Sequence, residues 1–160
     1  MEDLNALWAL YGDPEITKYI SDAPKTYEES KKELEWHMNG HPSNPEFGLW
    51  STIHKETSKF IGRCGLLPWT IDGQAEVEMA YTIARDFWGQ GFCTEAAQAI
   101  AQHGFKTLKL TRLICMIEPE NKASLKVALN IGMIFEKEMV DDMGSFHLYS
   151  RSNQPKRSIF

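Results

Sequence analysis

The sequence is poor in the features that would tie it to a membrane, a disulfide framework or a nucleic acid. No apolar run approaches the roughly 20 residues that span a bilayer. The first residues, Met1-Glu2-Asp3, are acidic where a secretory leader would be basic. Basic residues are outnumbered, 17 against 22 acidic ones, for a net charge of −5. A general nucleic-acid surface would need the opposite balance. The same balance mildly favours a cationic or amine partner. The cysteines are Cys64, Cys93 and Cys115, an odd number with no Cys-x-x-Cys pair. They read as free thiols of a reducing compartment, so the expected location is cytoplasmic. Of the histidines, His37 and His41 have helical spacing, but Gly40 and Pro42 break that helix, and no metal site is expected.

What is present is ordinary globular chain. It has 160 residues, 42% hydrophobic and 24% charged, which fits one domain over residues 1–152 with a loose tail at 153–160. A helix is predicted over 3–11, with Leu4, Leu7, Trp8 and Tyr11 on one face, and a short turn over 15–20. Thr26-Tyr27-Glu28-Glu29 is a capping box that starts a helix running to about Asn39. Its inner face should carry Tyr27, Leu34 and Met38. Strands are expected at 47–54, 60–67 and 76–83, forming an antiparallel meander. Residues 68–74 read as a loop with Asp72-Gly73 at its tip. The apolar run Leu113-Ile114-Cys115-Met116-Ile117 suits a buried strand parallel to 76–83. A helix over 121–131 follows, with Leu125, Ala128 and Leu129 inward and Gly132 closing it. Two more strands, 133–140 and 146–151, end the domain. The class is α+β, with a mixed, mostly antiparallel sheet and flanking helices.

The stretch from Glu76 to Ala97 organises the rest. Val77, Met79, Tyr81 and Ile83 alternate with Glu76, Glu78, Ala80 and Thr82, a two-residue period. From Ala97 the period becomes helical, with Ile100, Ala101, Gly104, Phe105 and Leu108 on one face. Between them lie Gly89 and Gly91. A glycine loop feeding a helix start offers unpaired N–H groups and the positive end of the helix dipole to an anion such as a phosphate. A plain strand–turn–helix connection would use the same glycines. Cys93 lies at that helix start, where a thiolate would be stabilised. No histidine stands near it in a catalytic pattern, so a small space-filling residue is the preferred reading.

Trp88-Gly89-Gln90-Gly91-Phe92-Cys93-Thr94-Glu95-Ala96 is preceded by Glu78-Met79-Ala80-Tyr81 and followed by Asn121-Lys122-Ala123-Ser124 and Ile131-Gly132-Met133. Together these resemble the GNAT N-acetyltransferases, from about Leu4 to Arg151, and within them the RimJ/RimL-like branch, similar to ribosomal-protein N-terminal acetyltransferases. The resemblance implies the GNAT acyl-CoA N-acyltransferase fold and transfer of an acetyl group from acetyl-CoA to a primary amine by direct attack. It implies that the backbone amides of Gly89, Gln90, Gly91, Phe92, Cys93 and Thr94 hold the pyrophosphate. Main-chain groups of Tyr81, Thr82 and Ile83 would meet the pantetheine and thioester, and the Asn121 side chain the cofactor arm. Asn121 also suits an N-cap, and both roles can hold.

The attacking amine starts protonated, so a base is needed, directly or through water. Glu78 matches the family's strand glutamate. It and Glu76 lie on the face opposite Tyr81, and a carboxylate partly shielded from water would be raised into a useful range. The alternative is a solvated strand face, and Glu118 is the reserve base. Relatives often place a tyrosine, as acid for the leaving thiolate, where this chain has Ala128. Ser124 is the substitute, or a helix serine satisfying a backbone group. Trp36, Trp50, Trp69 and Tyr81 would line the acceptor pocket or fill the core.

The Arg-Leu-x-Leu-Arg type strand that normally opens the family is not found in this sequence. The resulting open sheet edge implies cover by the tail or by a second subunit as a homodimer, or a truncated start. A catalytically weak acyl-CoA-binding module on the same fold is the competing function.

Overall fold

The computed structural model describes residues 3–141 and 144–153. Helix α1 spans Leu4–Tyr11, α2 Pro14–Thr17 and α3 Tyr27–Asn39. Strands β1 (Gly48–His54), β2 (Lys59–Ile71) and β3 (Gln74–Ile83) follow, then α4 (Phe92–Lys106), β4 (Arg112–Ile117), α5 (Lys122–Asn130), β5 (Ile134–Asp141) and β6 (Gly144–Ser152). The six strands form one sheet in the order β1-β2-β3-β4-β6-β5. Only the β3–β4 contact is parallel, as a strand–helix–strand crossover requires.

Helices cover both faces. On one, α4 and α5 bury Ala97, Ala101, Phe105 and Ala128 against Leu66, Met79, Leu113 and Cys115 of the sheet. On the other, α1, α2 and α3 share a second cluster of Leu4, Leu7, Leu10, Ile16 and Leu34. Arg63 of β2 points to this second layer and is almost wholly buried. Its Nη1 donates to the Tyr11 hydroxyl and to Glu33 Oε2, each at 2.8 Å. A buried guanidinium needs such partners, and this one fastens the helical layer to the sheet.

Local signals act as expected at several ends. The Thr26–Glu29 capping box forms with both of its hydrogen bonds. After α5, Gly132 takes a φ of +82°, its N–H bonds Leu129 O, and the Met133 N–H bonds Ala128 O, which is a Schellman close.

Three expectations need correction. Residues 68–71 are not loop: β2 continues to Ile71, and the connection to β3 is the two residues Asp72 and Gly73, with φ of +51° and +75°. That is a tight hairpin turn, and it prolongs both strands. Pro68 is tolerated because β1 has already ended, Gly48 pairing with Leu66, so β2 has a free edge there. Second, Tyr27 and Met38 of α3 are exposed, while Ser30 and Leu34 are buried. The fully buried part of the helix is one narrow i, i+4 stripe. Third, Leu129 is exposed, because α5 buries the side marked by Ala128.

Among the described residues no strand lies beyond β1. There the Leu49 N–H donates to His37 Nδ1 at 3.1 Å, and the Ser51 hydroxyl donates to Asp3 at 2.6 Å. Cover by the tail falls on residues 154–160, outside the described residues.

Candidate active site

The site begins where the sheet opens. β3 and β4 share one backbone pair, Glu78 with Ile114, and then diverge. Past that pair the strands leave a wedge lined by Tyr81, Thr82 and Ile83 on one side and Met116 and Ile117 on the other. A cleft of about 2030 Å³ runs through the wedge, from α3 on one face to α5 on the other. Of the site residues expected from the sequence, all but Gln90 and Phe92 line it. The Phe92 ring instead packs edge-on to His54, 5.1 Å between centroids.

The loop after β3 is braced from outside. The Trp88 indole N–H donates to the Ile83 carbonyl at 2.6 Å, and the Gln90 amide to the Asp86 carbonyl at 2.9 Å. Gly89 and Gly91 have φ of +71° and +86°, so the path needs glycine. A Cβ at either would meet no protein atom within 4 Å, so the space above them is open. Gly91 caps α4, and no side chain caps that end. Among the described residues, the backbone N–H groups of Gly89 to Thr94 have no backbone acceptor. Six consecutive free donors at a helix start fit a pyrophosphate.

Glu78 stands at the closed end of the wedge, on the face opposite Tyr81. It is neither bare to solvent nor paired with a cation. Burial pushes its carboxyl up to about 7. The Trp69 indole N–H and the Met116 backbone N–H pull against that shift, and the Asp22 carboxylate adds to it. Trp69 Nε1 lies 2.7 Å from Glu78 Oε2. Glu76, one step back on the same face, is held by Arg112 at 3.0 Å. Glu118 is exposed on the cleft wall.

Across the sheet, Tyr81 turns toward α5. Its hydroxyl donates to the Ser124 carbonyl at 2.9 Å and accepts from the Ser124 hydroxyl at 3.2 Å. Burial, with the Cys115 thiol adding, raises the phenol well above its ordinary range, so it stays neutral. Asn121 is the N-cap of α5, its side chain accepting from the Ser124 N–H at 3.0 Å. Burial pushes the Cys93 thiol up to about 12, which disfavours a nucleophilic role and suits a space-filling one. Cys64, Cys93 and Cys115 are all free.

Of the four aromatic candidates, Trp36, Trp69 and Tyr81 line the cleft. Trp50 does not: its ring packs edge-on to His103 of α4, 5.9 Å between centroids. Two contributors were not anticipated. Tyr19, after α2, donates from its hydroxyl to the Glu120 carbonyl at 3.3 Å and ties the helical layer to the β4–α5 loop. The other is the Trp69–Glu78 bond. Its signal lay in the Asp72-Gly73 turn: counting back from a two-residue hairpin puts Trp69 opposite Glu76 and diagonal to Glu78.

The family profile described as "Acetyltransferase (GNAT) domain" matches residues 1–134. An uncharacterised protein, YkkB of Bacillus subtilis strain 168, is 34% identical over 128 residues, covering 80% of this chain and 73% of its own. An uncharacterised N-acetyltransferase, p20 of Bacillus licheniformis, is 34% identical over 139 residues, covering 86% and 76%. Among solved structures, the ribosomal-protein-S5-alanine acetyltransferase of Vibrio fischeri superposes with a TM-score of 0.79 at 19% identity, over 96% of this chain and 91% of that one. That likeness concerns the fold. Sequence match and architecture agree, and the chain belongs to the GNAT family of acetyltransferases.

Proposed function

We propose that the protein transfers the acetyl group of acetyl-CoA to a primary amine by direct attack, with Glu78 as general base. One observation carries this reading: a single cleft joins the loop of free backbone donors, at Gly89, Gly91, Cys93 and Thr94, to a carboxyl raised to about 7 on the other side, through a gap in the sheet. The donor loop suits the pyrophosphate of acetyl-CoA, and the wedge suits a thin extended arm ending in the thioester. The amine approaches from the Glu78 face. Glu78 accepts its proton, the nitrogen lone pair attacks the thioester carbonyl, and the carbon–sulfur bond breaks to release the CoA thiolate. A free strand N–H bordering the wedge meets the developing oxyanion.

With Ala128 in place of a helix tyrosine, the nearest hydroxyls to the α5 side of the wedge are those of Ser124 and Tyr81. Ser124 is the donor to the leaving sulfur, its hydroxyl regaining a proton from the amine nitrogen as the tetrahedral intermediate collapses, so that Glu78 and the CoA thiol end with the two amine protons. A thiolate of ordinary pKa leaves without much help, so the contribution is modest. Ser124→Ala is expected to lower kcat about tenfold with KM for acetyl-CoA unchanged. Unchanged kcat would leave Ser124 as a helix-start residue.

The acceptor is a peptide or protein N-terminus or a small-molecule amine. A panel of both, followed by CoA release and product mass, decides between them. Acetyl-CoA binding without CoA release across that panel assigns the protein to acyl-CoA sensing instead. The outer edge of β1, where Trp50 and Ile53 are exposed, is where a second copy would pair to form a homodimer. Sedimentation of the intact chain measures this.

A further inference from the structure

We propose that Trp69 is a positioning residue for the Glu78 base: its indole N–H fixes the carboxylate, and its ring walls the acceptor side of the cleft. The proposal rests on reading Glu78 as the base. Glu78 is the last residue of β3 to pair with β4, so its side chain stands where the sheet begins to open. A carboxylate there could swing into the wedge or out toward the helical layer. It is held from both neighbouring strands instead. From β2, Trp69 Nε1 donates at 2.7 Å, and from β4 the Met116 backbone N–H donates. Trp69 is 45% exposed although its one polar atom is committed to Glu78. It is therefore no core residue, and it lines the cleft, as do Leu67 and Trp36.

The charged and titratable groups bearing on Glu78 are few. The Asp22 carboxylate, ahead of α3, disfavours its ionised form. The Cys115 thiol of β4 lies close enough to feel the Glu78 charge and is itself pushed up, mainly by burial. Glu76 is occupied by Arg112. Against this setting the two N–H donors favour the carboxylate, and Trp69 is the one that a side-chain substitution can remove.

The test is Trp69→Phe, which keeps an aromatic wall and deletes the N–H. In the free protein, carbon-13 NMR of the side-chain carboxyls reads the Glu78 titration directly. Loss of a donor to the charged form is expected to raise its midpoint by about one pH unit, a tenfold gain in proton affinity. With one acceptor held constant, the acid limb of kcat/KM should move to higher pH by the same amount. The plateau above it should fall about tenfold, because the ionised carboxylate is no longer fixed. A benzothiophene analogue of tryptophan at this position keeps the bicyclic shape and lacks the N–H. It should reproduce the shift without the change in volume. A ring that only packs would alter KM and the melting temperature and leave the midpoint in place. An unmoved midpoint in both variants overturns the proposal, whatever Glu78→Gln does. A moved midpoint together with a fully active Glu78→Gln overturns the base reading while upholding the coupling of Trp69 to Glu78.

Discussion

Glu78→Gln is expected to lower kcat/KM at pH 8 by about 10²- to 10³-fold, with acetyl-CoA affinity within about twofold of the parent. Glutamine keeps the shape and can still accept from the Trp69 and Met116 N–H groups, so the wedge stays intact. What it loses is the ability to take a proton from the amine. A base at Glu78 must be ionised to act, and burial puts that transition at about pH 7. The parent's kcat/KM should therefore fall as pH drops through 7, and this limb should be missing from the variant's residual rate. Stability should move the other way. The folded carboxyl holds its proton more tightly than the unfolded one, at about 7 against an ordinary 4.5. The stabilisation from that proton is complete below 4.5 and lost as pH rises through 7, a change of about 3 kcal/mol. Glutamine cannot ionise, so the variant should melt higher than the parent at pH 8 and close to it at pH 4. A variant with undiminished kcat/KM removes Glu78 as base. Equal melting temperatures at both pH values would show that the carboxyl is not shielded as described.

Gly91→Val should weaken acetyl-CoA binding about 100-fold without unfolding the protein. The φ of +86° at Gly91 is one that β-branched residues strongly resist, at a cost of about 1–3 kcal/mol. An added Cβ would meet no protein atom within 4 Å, so the damage is not one of packing. It falls on the direction of the Gly91 and Phe92 N–H groups and on the space above them. Titration calorimetry with acetyl-CoA and with desulfo-CoA reads this without turnover. Unchanged affinity would move the phosphate site away from the loop.

Much of this arrangement was legible in the sequence wherever short-range chemistry decides. The capping box placed α3, the Gly132 close ended α5, and the change of period after Ile83 placed the loop between strand and helix. The failures share one cause, which is that a periodic pattern does not know what a residue will face. Tyr27 and Met38 suited an inner face by spacing, but the residues α3 buries are Ser30 and Leu34. Pro68 looked like a break because β1 was not known to stop short of it. The choice of Glu78 as the candidate base came from the motif. Its state did not, because shielding, the Met116 N–H and the Trp69 N–H come from two different neighbouring strands.

The lone pairing of Glu78 with Ile114 divides the sheet into two leaves, β1–β2–β3 and β4–β6–β5, hinged at one point. Across the hinge the leaves are held by side chains: Glu76 with Arg112 near the pair, and Cys115 Sγ against the Met79 carbonyl at 3.5 Å. Each leaf is internally laddered, but the backbone groups that face the wedge have no partner strand. Amide hydrogens there should exchange with solvent far faster than those of β2 or β6. An acyl-CoA arm laid along the wedge would supply the missing ladder. Substrate would then act as a temporary strand, and protection gained on binding would map its path residue by residue.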